Sequence, residues 1–320
     1  MKTYLVTGVC GFIGSNLTIR LLNSGNKVVG IDRKSDRHHH ILSELLKFDN
    51  FNYYNVDLSN YEDLANVRED VDFVYHLAAN ADIRFSYVYP EKDLNDGIIS
   101  TYNMVRWMRE REVKRVAYSS TSAIYGDASV VPTPEDYSPI QTSFYGAAKV
   151  AGEALIQAHC AASGSQAWVF RYVSITGPRY SHGFIYNFFR ELNNNPNELY
   201  VHGGQDQLKS YLDVDDCLDA MLTIVEKGGD VVNTYNIGNT ETIGLPRSIP
   251  IITKYMGIDP KIVWSGNDVG WIGDSKVNHL DVSKLMSLGW KPKYSIEQTI
   301  IRTLDWLSDN KWILDVRKEK

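Results

Sequence analysis

The nine residues TGVCGFIGS (7–15) decide how the first half of this chain folds. Gly8, Gly11 and Gly14 stand three apart, and the apolar run TYLVTG (3–8) leading into them reads as a strand. The segment IGSNLTIRLLNSG (13–25) carries apolar residues at helical spacing and stops at Gly25, which is free to take a left-handed cap. Glycines at such a strand-to-helix turn let a pyrophosphate approach the backbone. The helix N-terminus behind them, opened by Phe12 and Ile13, offers unpaired N–H groups and the positive end of its dipole. A glycine-rich turn without a ligand has the same composition, so its neighbours have to choose between the two readings.

KVVGID (27–32) is a second strand, and Asp32 closes it 18 residues after Gly14. A carboxylate there accepts both ribose hydroxyls of an adenosine and repels a 2′-phosphate, which favours NAD over NADP. Arg33 and Lys34 follow directly and keep NADP open. FNYYNVD (51–57) is a third strand, with Asp57 and Leu58 suited to an adenine edge and an apolar wall. DFVYHLAA (72–79) is a fourth, whose small end, Leu77, Ala78 and Ala79, leaves room for a cofactor backbone. KRVAYSS (114–120) and AWVFRYVSITG (167–177) add two more, with helices around 93–111 and 143–163. Apolar strands separated by helices imply a parallel sheet covered on both faces, the α/β doubly wound (Rossmann) class.

The second half has a different texture. A helix at FIYNFFREL (184–192), a turn-rich stretch, a strand-like KSYLDV (209–214), a helix from Asp216 and a C-terminal helix SIEQTIIRTLDWLSDN (295–310) suggest an added lobe. We therefore expect a cofactor-binding domain over 1–178, with part of 210–240 packing onto it. A smaller C-terminal substrate-binding lobe would span 179–320. DVDD (213–216) sits at a strand-to-helix junction, where Asp215 or Asp216 is better read as an N-cap than as a metal cluster.

Composition excludes several classes. A net charge of −6 over 320 residues, with basic residues scattered, argues against a nucleic-acid binder. The one basic cluster is Arg33, Lys34 and Arg37, followed by His38, His39 and His40. Three consecutive histidines cannot easily face one ion, so no metal site is expected. No apolar run is long enough to span a membrane, and Met1 leads directly into a strand, leaving no room for a signal peptide. Cys10, Cys160 and Cys217 lie far apart, as free thiols in a reducing, cytoplasmic compartment would. Cys10, within the glycine turn, reads as a small packing residue.

FYGAAK (144–149) puts Tyr145 and Lys149 one helical turn apart on a shared face. A chain of this size should hold on the order of one Tyr-x-x-x-Lys by accident, so the pair alone decides nothing. It gains meaning from SSTSAIYG (119–126), which places Ser119 and Thr121 at the carboxyl end of the fifth strand, where ligands of doubly wound sheets bind. Thr121 would meet a substrate hydroxyl, and Lys149 would bond a nicotinamide ribose and bias Tyr145 toward phenolate. For Tyr145 to act as a base near neutrality, its pKa must fall by roughly 3 units, about 4 kcal/mol.

In order and spacing, TGVCGFIGS, Asp32, HLAA, SSTSAIYG, YGAAK and RYVSITGPR resemble the extended short-chain dehydrogenase/reductases. The likeness is closest to the NAD-dependent sugar-nucleotide epimerase/dehydratase branch and, within it, to the UDP-glucose 4-epimerases. It continues through NNNPNELYVHGGQDQLKSYLDVDD (193–216) and GWIGDSKVNHLDVSKLMSLGWKP (270–292), so it covers nearly the whole chain. The resemblance implies NAD as cofactor and a nucleotide sugar, most simply a UDP-sugar, as substrate. Thr121, Tyr145 and Lys149 would form the catalytic set, and Tyr172 would line the nicotinamide pocket. Ser122, Ser174, Arg179, Asn187, Lys209, Tyr211, Asp274 and Asn278 would face the substrate. It also implies a homodimer built on the helices near 93–111 and 143–163.

Where 4,6-dehydratases of the branch carry Asp-Glu after the threonine, this chain has Ser122 and Ala123, which disfavours elimination. A 4-epimerase working through a transient 4-keto sugar is then implied. A 4-reductase or dehydrogenase on the same three residues, and a non-catalytic NAD-sensing regulator, remain alternatives. Four departures bear on the substrate: Ser174 replaces a usual Asn, Lys209 a usual Arg, Gly97 a common Asn, and Val269-Gly270-Trp271 lacks the Arg that normally precedes Gly-Asp. Arg179 or Lys276 could compensate, and Asn278 leaves space for a substituent at the sugar C2.

Overall fold

The computed structural model describes residues 1–33, 39–80, 83–271 and 273–316. Its strands run β1 (Thr3–Thr7), β2 (Lys27–Asp32), β3 (Phe51–Asn55), β4 (Phe73–His76), β5 (Arg115–Thr121), β6 (Gln166–Tyr172) and β7 (Ser174–Thr176). There follow β8 (Glu198–Val201), β9 (Leu208–Lys209), β10 (Tyr211–Asp213), β11 (Val232–Ile237), β12 (Lys261–Trp264) and β13 (Val277–Asn278). Seven of them form the main sheet in the order β11-β6-β5-β4-β1-β2-β3. The pairs β2–β3, β1–β2, β1–β4 and β4–β5 are parallel. The order reverses between β1 and β4, which is the switch point where doubly wound sheets place their ligands. Lys34, Arg37 and His38 of the basic cluster lie outside the described residues. His39 and His40 are exposed at the start of the helix His39–Leu45.

The chain divides into two compact units that interleave along the sequence. One comprises Met1–Ile124, Gln141–Arg171 and Leu222–Tyr235, the other Tyr125–Ile140, Tyr172–Met221 and Asn236–Lys320. The core of the first unit gathers Leu5, Val29, Val74, Val116 and Val169 from the strands with Met104, Trp107 and Ile156 from the covering helices. The Trp107 indole donates to the Val67 carbonyl at 3.1 Å, so its polar edge is satisfied inside an apolar shell. One turn earlier, the Asn103 amide donates to the Leu58 carbonyl at 2.8 Å and pins the loop after β3.

Several elements differ from the sequence-based expectation. The continuous run 167–177 is two strands, because β7 leaves the main sheet and pairs with β10, setting Ser174 opposite Tyr211. KSYLDV likewise breaks at Ser210: β9 pairs with β13, which sets Lys209 opposite Asn278. The helix near 93–111 opens as a short α-helix Pro90–Asp93, becomes a π-helix over Leu94–Ile99 and resumes as Ser100–Glu110. In DVDD the capping residue is Asp213, not Asp215 or Asp216. The helix starts at Val214, and Asp213 Oδ1 accepts the Asp215 N–H at 2.9 Å. Asp215 instead pairs with Arg302 at 2.6 Å, and Asp216 takes the N–H groups of Lys293 and Tyr294.

No helix among the described residues is long and apolar enough to cross a membrane. Replacing Trp107 by Ala removes a side chain that is 1% exposed together with its hydrogen bond. The expected loss is about 3–5 kcal/mol, read as a lowered urea midpoint at unchanged slope.

Candidate active site

Every feature of the glycine turn follows from close backbone approach. Gly8 has φ +70°, in the left-handed region, and a Cβ there would lie 3.0 Å from the Ala78 backbone. A Cβ on Gly14 would fall 2.1 Å from the Gly8 carbonyl oxygen, so the first helical turn can sit down on the loop only as glycine. Gly11 stands at the N-cap of the helix Phe12–Asn23, and no side chain caps it, so a bound anion can take that role. Asp32 is tied into the same turn: Oδ2 accepts the Cys10 N–H at 2.9 Å and Oδ1 the Arg33 N–H at 2.8 Å. A carboxylate oxygen can accept more than one hydrogen bond, so a ribose hydroxyl can be received at this strand end. Arg33 is turned to acidic partners, Asp96 at 2.8 Å and Asp57 at 3.7 Å, so its charge is offset rather than offered to a second phosphate. These residues fit a dinucleotide with an unphosphorylated adenosine ribose.

The ends of β1 and β4 are joined through Thr7, whose hydroxyl accepts the N–H groups of Leu77 and Ala78, both at 3.1 Å. That fills its lone pairs, so its O–H points to His76 Nδ1, 2.9 Å away. His76 Nε2–H then donates to Thr101 at 3.1 Å, and the Thr101 hydroxyl donates to the Gly97 carbonyl at 2.6 Å. Burial first, and the Lys149 charge second, push His76 down to about 3, so it is a neutral strut at working pH.

The catalytic candidates come together in the first unit. Ser143 caps the helix Phe144–Ser163 by accepting the Gly146 N–H at 3.0 Å, and the helix then presents Tyr145 and Lys149 in successive turns. Thr121 ends β5, with its side chain hydrogen-bonded to the Tyr145 phenol oxygen and its Oγ1 accepting the Ala123 N–H at 3.1 Å. Ser122 opens the short 3₁₀ turn Ser122–Tyr125. The Lys149 ammonium donates to the Ser119 carbonyl at 2.6 Å and lies 5.9 Å from the Tyr145 ring centre.

The ionisation expected of Tyr145 draws on Lys149 and on the positive ring of a bound nicotinamide together. Burial pushes the Tyr145 phenol up to about 12; the Thr121 hydrogen bond opposes this and the Asp93 charge adds to it. The downward shift a neutral-pH base needs is therefore not made by this chain's own groups. Lys149 carries the perturbation instead, pushed down to about 8 by burial against the charges of Glu153 and Asp93. Sequence reasoning missed three residues here. Glu153 grips Arg171 at 3.0 and 2.7 Å in a bidentate pair. Asp93 and Ser86 lie beside Tyr145, whose backbone N–H donates to Ser86 Oγ at 2.8 Å. The bidentate pair had a sequence signal, a Glu one turn beyond Lys149; the other two had none.

In the second unit Ser174 neighbours Tyr211 across β7–β10, and the Tyr211 ring packs 4.9 Å from Phe184, which opens the helix bearing Asn187. The Lys209 ammonium bonds Asp274 at 2.7 Å and the Ser275 carbonyl. Asp274 also accepts from Gln207 at 2.9 Å and from the Gly270 N–H at 3.3 Å. Its carboxylate thus serves Lys209, Gln207 and the Gly270 N–H together. Arg179 takes φ +71°, a left-handed conformation that non-glycine residues adopt at an energetic cost. Tyr172, buried, ends β6. Among the described residues no group of three His, Cys, Asp or Glu side chains is placed to hold a metal.

Comparison with known proteins identifies the family and the fold. The model of the NAD dependent epimerase/dehydratase family matches residues 4–238. A UDP-glucuronate 4-epimerase of Thermodesulfobacterium geofontis is 30% identical over 97% of this chain and 97% of its own. Among solved structures, a UDP-galactose 4-epimerase superposes with TM-score 0.87 at 33% identity, covering 97% of this chain and 100% of its own. The UDP-glucuronic acid 4-epimerase of Bacillus cereus, in complex with UDP-glucuronic acid and NAD, gives 0.88 at 26%, covering 96% and 99%.

The buried Lys149 makes a prediction about stability. Its folded pKa of about 8 lies below the 10.5 of the free side chain, so between these values the unfolded chain binds more protons. Unfolding free energy must then rise with pH across that window, by about 3 kcal/mol from this residue. Thermal melts from pH 7 to 10.5 should show this rise in the parent and its loss in Lys149→Met.

Proposed function

From the chain's membership of the NAD-dependent epimerase/dehydratase family, we propose that it inverts C4 of a UDP-sugar through a transient 4-keto sugar. The sugar is of the glucose/galactose type or an N-acetyl or uronate relative. The observation that carries this choice is local. After Thr121 the chain has Ser122 and Ala123, and the Ala123 N–H is folded back onto Thr121, so these two positions supply no acid/base pair to expel water. What the site does hold is equipment to move one proton at one hydroxyl.

In this reading the first unit binds the cofactor through Gly8, Gly11, Phe12, Ile13, Gly14, Asp32, Asp57, Leu58, Leu77, Ala78, Ala79 and Ser119. NAD supplies the carrier of the C4 hydride. Tyr145 takes and returns the C4 hydroxyl proton, and Thr121 bonds the same oxygen. Lys149, anchored on the Ser119 carbonyl, would bond the nicotinamide ribose, and its charge together with that of the bound cofactor would favour the phenolate. The second unit holds the nucleotide end, with Lys209 aimed by Asp274 and supported by Arg179, Asn187, Tyr211, Ser174 and Asn278. Three buried thiols suit a reducing cytoplasm.

Purified protein incubated with UDP-glucose, UDP-galactose and their N-acetyl and uronate forms should show C4 inversion by NMR. It should show no net change at the nicotinamide absorbance band; a net change would favour a reductase. Tyr145→Phe should lower the rate by about 10²–10⁴-fold. Absence of inversion with every sugar rejects the reading.

We also assign a homodimer to the helices near 93–111 and 143–163, where Leu94, Tyr102 and Phe144 are exposed. Sedimentation should return twice the chain mass of 36.3 kDa.

A further inference from the structure

Asp93 is a carboxylate that the transfer of the C4 proton does not use, and it is only 2% exposed. It closes the short helix Pro90–Asp93 at the point where the chain enters the π-helix, a local widening that recurs at functional sites. Its Oδ2 accepts the Ser86 hydroxyl at 2.7 Å and its Oδ1 the Asn80 amide at 2.9 Å. The Ser86 oxygen accepts the backbone N–H of Tyr145 at 2.8 Å, so a relay of two hydrogen bonds ties Asp93 to the first turn of the catalytic helix.

The charge environment separates Asp93 from the site's other buried acid. Glu153 is held in the bidentate Arg171 pair, which offsets its charge. The hydrogen bonds described for Asp93 come from neutral donors, and a buried anion requires a compensating charge nearby. His76 is neutral and the Tyr118 ring, 5.1 Å from Lys149 Nζ, carries no charge at working pH. Lys149 is a cation whose proton the Asp93 charge helps to hold, and the same negative charge bears on Tyr145.

Building on the 4-epimerase reading, we propose that Asp93 is a positioning residue: through Ser86 it fixes the turn carrying Tyr145, and through its charge it offsets Lys149 and opposes ionisation of the phenol. Asp93 thereby keeps the proton on Tyr145 in the ligand-free protein, and the pair's ionisation is left to what binds beside it.

Asp93→Asn preserves shape and can keep the Ser86 contact while removing the charge. In ligand-free protein carrying 3-fluorotyrosine, the fluorine resonance lost in Tyr145→Phe identifies residue 145. In Asp93→Asn its titration midpoint should fall by about one pH unit. Asp93→Ser, smaller and also neutral, should move it the same way and serves if the asparagine variant fails to fold; Asp93→Glu should restore the parent midpoint. The acid limb of the C4-inversion rate should move down in parallel. A midpoint that stays put or rises in the neutral variants, whatever their melting temperatures, overturns the proposal. Because the titration needs neither substrate nor turnover, it decides the role of Asp93 even if no sugar nucleotide is epimerised.

Discussion

The structure turns on the Thr7 hydroxyl. It is the last residue of β1, and its single oxygen takes both N–H groups of Leu77 and Ala78 where β4 ends. The loops that leave these paired strands part at the switch point, and without Thr7 those part-buried N–H groups would lose their partner. Closing them onto Thr7 draws the two loops together until Gly8 meets the Ala78 backbone, which is why residue 8 has no room for a Cβ. The same oxygen fixes the tautomer of His76, and His76 passes the constraint to Thr101 and the Gly97 carbonyl on the helix behind. The cradle for a dinucleotide is thus shaped from the sheet outward, and its glycines record how close the backbones come.

Much of this was legible because it is written in local chemistry. Glycine spacing, an acidic residue closing the second strand, and alternation of apolar strands with helices each reflect a constraint acting within a few residues. What stayed hidden depends on distant partners. Strand β11 has no expected counterpart in the sequence, because Asn233, Thr234 and Asn236 interrupt its apolar pattern. Yet Asn233 is buried and its amide serves the Ala167 carbonyl at 3.1 Å, a role visible only once the strand is docked. The break at Val173 lies inside the strand-like stretch 167–177, and the pairing of β7 with β10 separates the pieces. Asp213, Asp215 and Asp216 are equivalent cap candidates in the sequence, since each carries a carboxylate at the junction. The choice was made by Arg302, which bonds Asp213 at 2.9 Å from 89 residues away.

The candidate site shows the same division between position and sign. Spacing placed Tyr145, Lys149 and Thr121 together, since one helical turn and one strand end are enough to do so. Spacing could not give the direction of the charge effects. It treats the lysine as a cation beside a phenol, whereas in the fold the ammonium is drawn to the Ser119 carbonyl and the phenol is enclosed. Desolvation then outweighs a single hydroxyl hydrogen bond from Thr121, because it penalises the whole phenolate charge while the hydrogen bond stabilises one lone pair.

This balance explains why a chain of ordinary composition keeps so many polar groups in one place. Lys149, Asp93, Glu153, Arg171 and His76 are all buried or nearly so around the ends of β4 and β5. Apolar residues of similar volume would pack there with less desolvation penalty, and buried ion pairs are weak contributors to stability. A cluster of this kind is coherent only if the charges hold one another in place for chemistry. The bidentate Glu153–Arg171 pair immobilises one face of the helix, and the Asp93–Ser86 relay immobilises its first turn. Between these two anchors Tyr145 and Lys149 have little freedom to reorient, so a change of charge next to them is answered by movement of a proton rather than of a side chain.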